Sequence, residues 1–222
     1  MGTGTSSIKA VTQNTVSDRN TPVYRATKRI FDITVSGLGL IVTAPLMLGI
    51  AAAIKAEDKG PLFYASDRIG TGKKHIKIYK FRSMNVNADK QLDALRGKND
   101  MDSDIRFKME NDPRVTRVGN FIRKTSLDEL PQLWNVLKGD VSLVGPRPHS
   151  VYEVEKYDEY AMQRFKVKSG VLCYSEVCGR SDLSFEDSID LDIKYLKEHG
   201  PLTDIKILFM AAKAIVARKG AH

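Results

Sequence analysis

The sequence predicts a helix-rich α+β chain in which one domain is joined to an N-terminal membrane helix. Three observations carry this reading. Residues Ile33 to Ile54 form a run of 22 without a single charge. Strand-like alternation is confined to a short stretch on either side of a Gly-rich turn, and most later segments repeat their apolar residues at helical spacing. With 222 residues, 42% hydrophobic and 28% charged, the chain fits one globular domain plus a small appendage and needs no disulfide or metal to hold a core.

The elements follow in order. Residues 1–24 are polar, rich in Thr, Ser and Asn, lack the apolar stretch of a signal peptide, and read as a disordered tail. The membrane helix is expected over 25–56. As a straight helix the uncharged run would measure about 33 Å at ~1.5 Å per residue, against a bilayer core of ~30 Å. Pro45 near its middle cannot donate to the Ile41 carbonyl and predicts a kink, with Ser36 and Thr43 able to bond freed backbone groups. Both flanks are basic, with Arg25, Lys28 and Arg29 before and Lys55 after, and Asp32 lies one turn from Lys28, positioned to pair with it. A bent helix returns both flanks to one side; a spanning helix separates them. The residues alone leave both open.

Beyond the helix, Lys59-Gly60-Pro61 predicts a turn, Leu62-Phe63-Tyr64 a short strand, and His75 to Arg82 a second strand across a turn at Arg68–Lys74. That turn is no phosphate loop of the Walker type, which would need Gly at Asp67 and Ser or Thr at Lys74. Asn87–Arg106 reads as a surface helix with a loop. Val118–Lys124, Asp128–Leu137 (closed by Gly139), Val151–Lys166 and Glu186–Glu198 read as helices. Asp204–Arg218 places Ile205, Leu208, Phe209, Ala212, Ile215 and Val216 on one face, which either packs on the core or lies in a lipid headgroup region. Cys173 and Cys178 have no His cluster beside them, so they read as reduced thiols rather than a zinc site.

The net charge of +8 favours polyanionic partners. Lys80, Arg82, Arg114, Arg117, Arg123 and Arg147 lie in motif-like segments and as a set resemble a clamp for a diphosphate, since Arg grips phosphate oxygens in pairs. Among them lies Asp128-Glu129. Neighbouring residues on a helix diverge by about 100°, so the two carboxylates are expected to do different jobs.

These segments resemble the bacterial sugar transferases, the monotopic phosphoglycosyl transferases. The matching pieces are Lys28–Asp32, Tyr79–Met84, Asp112–Thr116, Leu127–Gln132, Asn135–Asp140 and Val144–Pro148, six motifs in family order. The resemblance implies a helix-rich catalytic domain over 57–222, on a re-entrant helix broken at Pro45, with interfacial amphipathic helices. It implies transfer of a hexose 1-phosphate from a nucleotide sugar, a UDP-hexose, to a polyprenyl phosphate such as undecaprenyl phosphate, with release of UMP. Asp128 would form a covalent phospho-sugar, Mg²⁺ would sit near Asp128 or Glu129, and Lys80, Arg123 and Arg147 would lie near the reacting groups. The expected location is the cytoplasmic face of a bacterial inner membrane, the expected pathway exopolysaccharide, capsule or O-antigen assembly. Membrane lipid is an expected partner, nucleic acid is not, and a homo-oligomer is compatible with the sequence.

The chain departs from the family pattern at Ser66, at Ser169–Cys173 and at Glu176, where the family carries Gln. These positions bear on sugar and nucleotide contacts. Two other readings compete: a non-catalytic, membrane-anchored basic module that docks anionic lipid or nucleic acid, and a soluble nucleotide-binding enzyme with one buried helix.

Overall fold

Thr21 starts the first helix: its hydroxyl accepts from the Tyr24 amide at 3.1 Å, and Pro22 follows where the helix needs no amide donor. In the computed structural model this helix, α1, runs over Pro22–Asp58 and is closed by Lys59 in the left-handed conformation. The structure describes residues 20–91, 95, 109, 111–179 and 183–216; most of the polar tail and most of the expected Asn87–Arg106 surface helix lie outside them.

Pro45 lies inside α1 without ending it, so the expected break is not an interruption of the element. The Ser36 and Thr43 hydroxyls bond the Asp32 and Gly39 carbonyls four residues back, each on its own preceding turn rather than at Ile41. The pairing of Lys28 with Asp32 is also corrected. Asp32 is buried, and its carboxylate accepts from Ser142 Oγ and the Leu143 amide at 3.0 Å each, while Lys28 Nζ sits 2.6 Å from Asp204. Arg29 donates to the Val136 and Leu137 carbonyls at 2.7 Å. At the other end, Ile50 and Ile54 pack with Phe81 and Ile122, and Asp58 pairs with Arg82. Both ends of α1 are thus tied to the same body, and Ile30, Leu38, Ile41, Val42 and Leu48 stay exposed. That exposure also rules out the helix as the buried core of a soluble enzyme.

Strands β1 (Phe63–Ile69) and β2 (His75–Phe81) form an antiparallel hairpin in the register Phe63↔Phe81 to Ile69↔His75. β1 outruns the expected three residues because its polar half also finds partners, Asp67 facing Lys77 across the pair. Next come α2 (Arg117–Lys124), capped by Thr116, and a 3₁₀ turn at Leu127–Glu129. α3 (Gln132–Lys138) follows, and Gly139 at φ 96° closes it. The single helix expected over Asp128–Leu137 is therefore two pieces: Pro131 has no amide to continue an i→i−4 ladder from the turn.

β3 (Ser142–Val144) pairs in parallel with β4 (Gly170–Leu172). Between them, Val151–Lys166 is not one helix. Ser150 and Asp158 each cap a new start, giving α4 (Val151–Val154), α5 (Glu159–Met162) and a 3₁₀ turn over Gln163–Lys166. Then come α6 (Tyr174–Cys178), α7 (Phe185–Glu198) and α8 (Pro201–Val216). The main core gathers Ile78, Val136, Val141, Val144, Ile189, Ile193, Leu196 and Ile207.

Of the two readings of the α8 apolar face, packing on the core does not hold for most of it. Ile207 and Ala211 are buried, whereas Ile205 is exposed and Phe209 is 74% exposed. The helix is apolar on both sides, so apolar spacing alone does not orient it. Asp204 does: it binds Tyr195, Tyr24 and Lys28 and turns its own side inward.

Candidate active site

Ser126 adopts φ 56°, a left-handed conformation that is costly for a residue with a Cβ. It reverses the chain after α2 and starts the 3₁₀ turn. At about three residues per turn, Leu127 and Leu130 fall on one side. Both pack against the Phe81–Ile122 cluster, which leaves Asp128 and Glu129 to project from the remaining sides. The dyad is set by two leucines anchored in the core beneath it.

β2 supplies the facing cation. Lys80 Nζ lies 2.6 Å from Glu129 Oε1 and 4.0 Å from Asp128 Oδ2. Asp128 is 9% exposed, and burial pushes its carboxyl up to about 6; Lys80 and Arg123 pull the other way, while Glu129 adds to the rise. Burial among cations sets this carboxylate apart from a solvated surface charge and makes it a candidate for the chemistry.

Arg147 follows a close backbone approach. A Cβ on Gly145 would meet the Lys168 carbonyl oxygen at 2.2 Å, and one on Gly170 would meet the Gly145 nitrogen at 2.0 Å, so β3 and β4 touch only because both positions are Gly. The chain then leaves β3 through Pro146, and Arg147 Nη1 meets Glu176 Oε2 of α6 at 2.9 Å. Arg164, buried with Asp192, holds the Arg147 carbonyl from below. The field of Arg147 reaches Glu129, which ties this corner to the dyad.

Sequence reasoning missed Arg68. It lies in β1, 3.3 Å from Glu153, and burial together with the neighbouring Arg147 holds its guanidinium below the usual arginine range. Two arginines that act on each other electrostatically, each paired with a carboxylate, are candidates for binding a diphosphate. The available signal was a cation placed inward on a paired strand beside the Gly-rich turn.

The six predicted cations therefore divide. Lys80 contacts both carboxylates of the dyad, Arg123 acts electrostatically on Asp128, and Arg147 is coupled electrostatically to Glu129. Arg82 is 8% exposed and bonds Asp58, the Pro61 carbonyl at 2.5 Å and the Met84 carbonyl at 3.2 Å, so it clasps the end of α1 to the hairpin. Arg114 is buried against Asp112 at 2.6 Å and reaches the Ala88 carbonyl. Arg117, whose backbone amide donates to Glu57, lines with Arg123, Lys124, Asn111, Thr116 and Asn120 a polar pocket at α2 that the dyad itself does not line. Both cysteines are free; Cys173 is buried and its thiol is pushed up to about 12, so it is inert.

Residues 23–218 match the family described as bacterial sugar transferase. The chain belongs to that family. It is 41% identical over 213 residues to the undecaprenyl-phosphate galactose phosphotransferase of Salmonella typhimurium, covering 95% of this chain and 44% of that relative. It is 40% identical over 195 residues to the galactosyl transferase CpsE of Streptococcus agalactiae, covering 87% and 43%. With the exopolysaccharide production protein ExoY of Rhizobium meliloti it shares 36% over 204 residues, covering 90% of each. The chain thus spans under half of the first two relatives and nearly all of ExoY.

Asp128 and Glu129 are the metal-ligand candidates in this member of the family. Among the described residues no group of three or more His, Cys, Asp or Glu side chains converges. Two carboxylates still fit Mg²⁺, which is commonly held by one or two carboxylates plus substrate phosphates and water. The position of the Lys80 ammonium beside both carboxylates marks a place where positive charge is favoured.

Proposed function

We propose that this chain transfers a hexose 1-phosphate from a UDP-hexose to a polyprenyl phosphate, giving a polyprenyl diphospho-sugar and UMP. The observation that carries the reading is Asp128: a nearly buried carboxylate with a raised proton affinity, set on a core-anchored turn among Lys80, Arg123 and, through Glu129, Arg147 and Arg68. The names of relatives support the substrates: one from Salmonella typhimurium is an undecaprenyl-phosphate galactose phosphotransferase, one from Escherichia coli a UDP-glucose:undecaprenyl-phosphate glucose-1-phosphate transferase.

The proposed steps take Asp128 as the nucleophile, the role that the family resemblance implies. An Asp128 oxygen attacks the phosphorus that bears the sugar, the bond to the UMP oxygen breaks, and UMP leaves with the electron pair. An oxygen of the lipid phosphate then attacks the same phosphorus and frees the Asp128 carboxylate. Arg147 and Arg68 bind the diphosphate oxygens, and Lys80 screens the approach of one anion to another. Glu129, held against Lys80, keeps that ammonium at the dyad. Mg²⁺, held by Asp128 and Glu129, would neutralise charge on the diphosphate and its leaving oxygen.

The membrane topology belongs to the same reading. Arg29 and Asp32 near one end of α1 and Asp58 near the other are all bonded to one domain, which supports a re-entrant helix bent at Pro45 over a spanning one. The outward Leu202, Ile205 and Phe209 of α8 support a helix lying in the headgroup region. The proposed donor, a nucleotide sugar, supports a domain on the cytoplasmic face of a bacterial inner membrane. There it would start exopolysaccharide-, capsule- or O-antigen-type glycan assembly, as the ExoY relative's name suggests.

The test is UMP release from a panel of UDP-sugars with undecaprenyl phosphate and Mg²⁺, for wild type and Asp128→Asn. Lipid-dependent release that disappears in the variant is expected. Release that persists in Asp128→Asn, or none from any donor, overturns the reading.

A further inference from the structure

Three cations near the dyad are held by carboxylates of the protein itself: Lys80 by Glu129 at 2.6 Å, Arg68 by Glu153 at 3.3 Å, Arg147 by Glu176 at 2.9 Å. The three pairs are not equivalent. Glu129 belongs to the reacting dyad. Glu153 is built into the α4 capping box, where its Oε2 also accepts from the Ser150 amide and hydroxyl at 2.7 Å, so it is fixed by the fold. Glu176 lies on the five-residue helix α6, outside such a box, and its pair with Arg147 is the most open of the three on the arginine side, at 42% side-chain exposure.

We propose that Glu176 is an internal counter-ion that occupies the phosphate seat on Arg147 until the nucleotide diphosphate displaces it, and so sets donor affinity. The inference rests on the phosphotransfer reading above. An arginine fork binds carboxylate and phosphate oxygens in the same bidentate manner, so the two anions compete for one donor set. The exchange is feasible because a partly exposed pair contributes only about 0.2–1 kcal/mol. Arg164 keeps the Arg147 backbone in place while the side chain changes partner, since it grips the Arg147 carbonyl and pairs with Asp192 below. Glu176 therefore weakens donor binding by a modest, fixed factor. That gives this chain a donor affinity below that of the same fold with a neutral residue here.

The experiment is calorimetric titration of the full chain in detergent with UDP, for wild type, Glu176→Gln, Arg147→Ala and the double variant. Glu176→Gln keeps the size and shape of the side chain at a partly exposed position, so folding is retained. Roughly two- to fivefold tighter UDP binding is expected, the factor that corresponds to loss of one such pair. The gain should vanish in the Arg147→Ala background, which assigns it to this pair and not to a general change in charge. Unchanged or weaker binding in Glu176→Gln, a gain that survives Arg147→Ala, or no UDP binding by any form overturns the inference. Weaker binding in particular would mean that Glu176 accepts hydrogen bonds from the donor. Tighter UDP binding by a chain that releases no UMP from any donor would keep the counter-ion and sink the transfer reading instead.

Discussion

The Lys80 ammonium nitrogen lies 2.6 Å from Glu129 Oε1 and 4.0 Å from Asp128 Oδ2, so one lysine on a strand edge serves both carboxylates of the 3₁₀ turn. Its charge opposes the burial that drives the Asp128 proton affinity up. Lys80→Met removes that opposition. Turnover is expected to fall about 10²–10³-fold, in the range for loss of a preorganised charge at a reacting centre. The acidic limb of the rate profile should move to higher pH. A kcat/KM profile from pH 5 to 9 checks both; an unmoved limb would remove Lys80 from this role.

Asp128 should make the fold less stable near neutral pH than it is in acid. Its carboxyl titrates at about 6 folded, against 3.8 for the free group, so the folded chain binds this proton more tightly than the unfolded chain. The stabilising contribution is full below pH 4 and is lost as pH rises through 6. Asp128→Asn is therefore expected to abolish turnover yet raise stability at pH 7.5, by at most about 3 kcal/mol for a shift of about two units. The gain should shrink towards pH 4. Thermal melts in metal-free buffer at both pH values test it, and a variant less stable at pH 7.5 contradicts the assignment.

Glu129→Gln tests the division of labour within the dyad. The amide keeps the size of the side chain but no longer holds the Lys80 ammonium by charge. Turnover should fall severely, by about 10²-fold or more, while the melting temperature moves little, since Glu129 is more exposed than Asp128. Wild-type-like turnover would free Glu129 from the chemistry.

Arg82 and Arg147 should separate stability from activity. Arg82→Ala leaves Asp58 with the Gly60 amide but, like the Pro61 carbonyl, without the guanidinium at the base of α1. A loss of about 2–4 kcal/mol is expected, with turnover per folded molecule changed only a few-fold. Arg147→Ala should leave the melting temperature within a few degrees and raise the donor KM at least tenfold. Urea melts and steady-state kinetics on the same preparations decide it; the reverse pattern would restore Arg82 to the site.

Pro45→Ala supplies the missing backbone amide and should straighten α1. Single cysteines at Thr27 and Ala56 report topology by labelling with a membrane-impermeant thiol reagent from each side. Both are expected to react from the cytoplasmic side in wild type, and the straightened variant should shift towards a spanning form. Identical labelling in both would show that Pro45 is not needed for the return.

The sequence by itself determined the uncharged run, the helix-rich character, the hairpin and the dyad. Each depends on periodicity or composition within a dozen residues, such as the alternation in His75–Phe81 or the unbroken apolar stretch before Lys55. Tertiary structure decided what local pattern cannot carry. Asp32 and Lys28 sit one turn apart but were drawn to Ser142 and Asp204, because burial rewards the partner that satisfies the most polar atoms. α8 is apolar on both sides, and Asp204 chose which faces inward. Arg82 and Arg147 look alike in sequence; only the tertiary structure sets Asp58 beside the first, as a clasp, and Glu176 beside the second, in the more exposed pair that the diphosphate is proposed to displace. Charge pairing depends on distance in space, which separation along the chain does not encode.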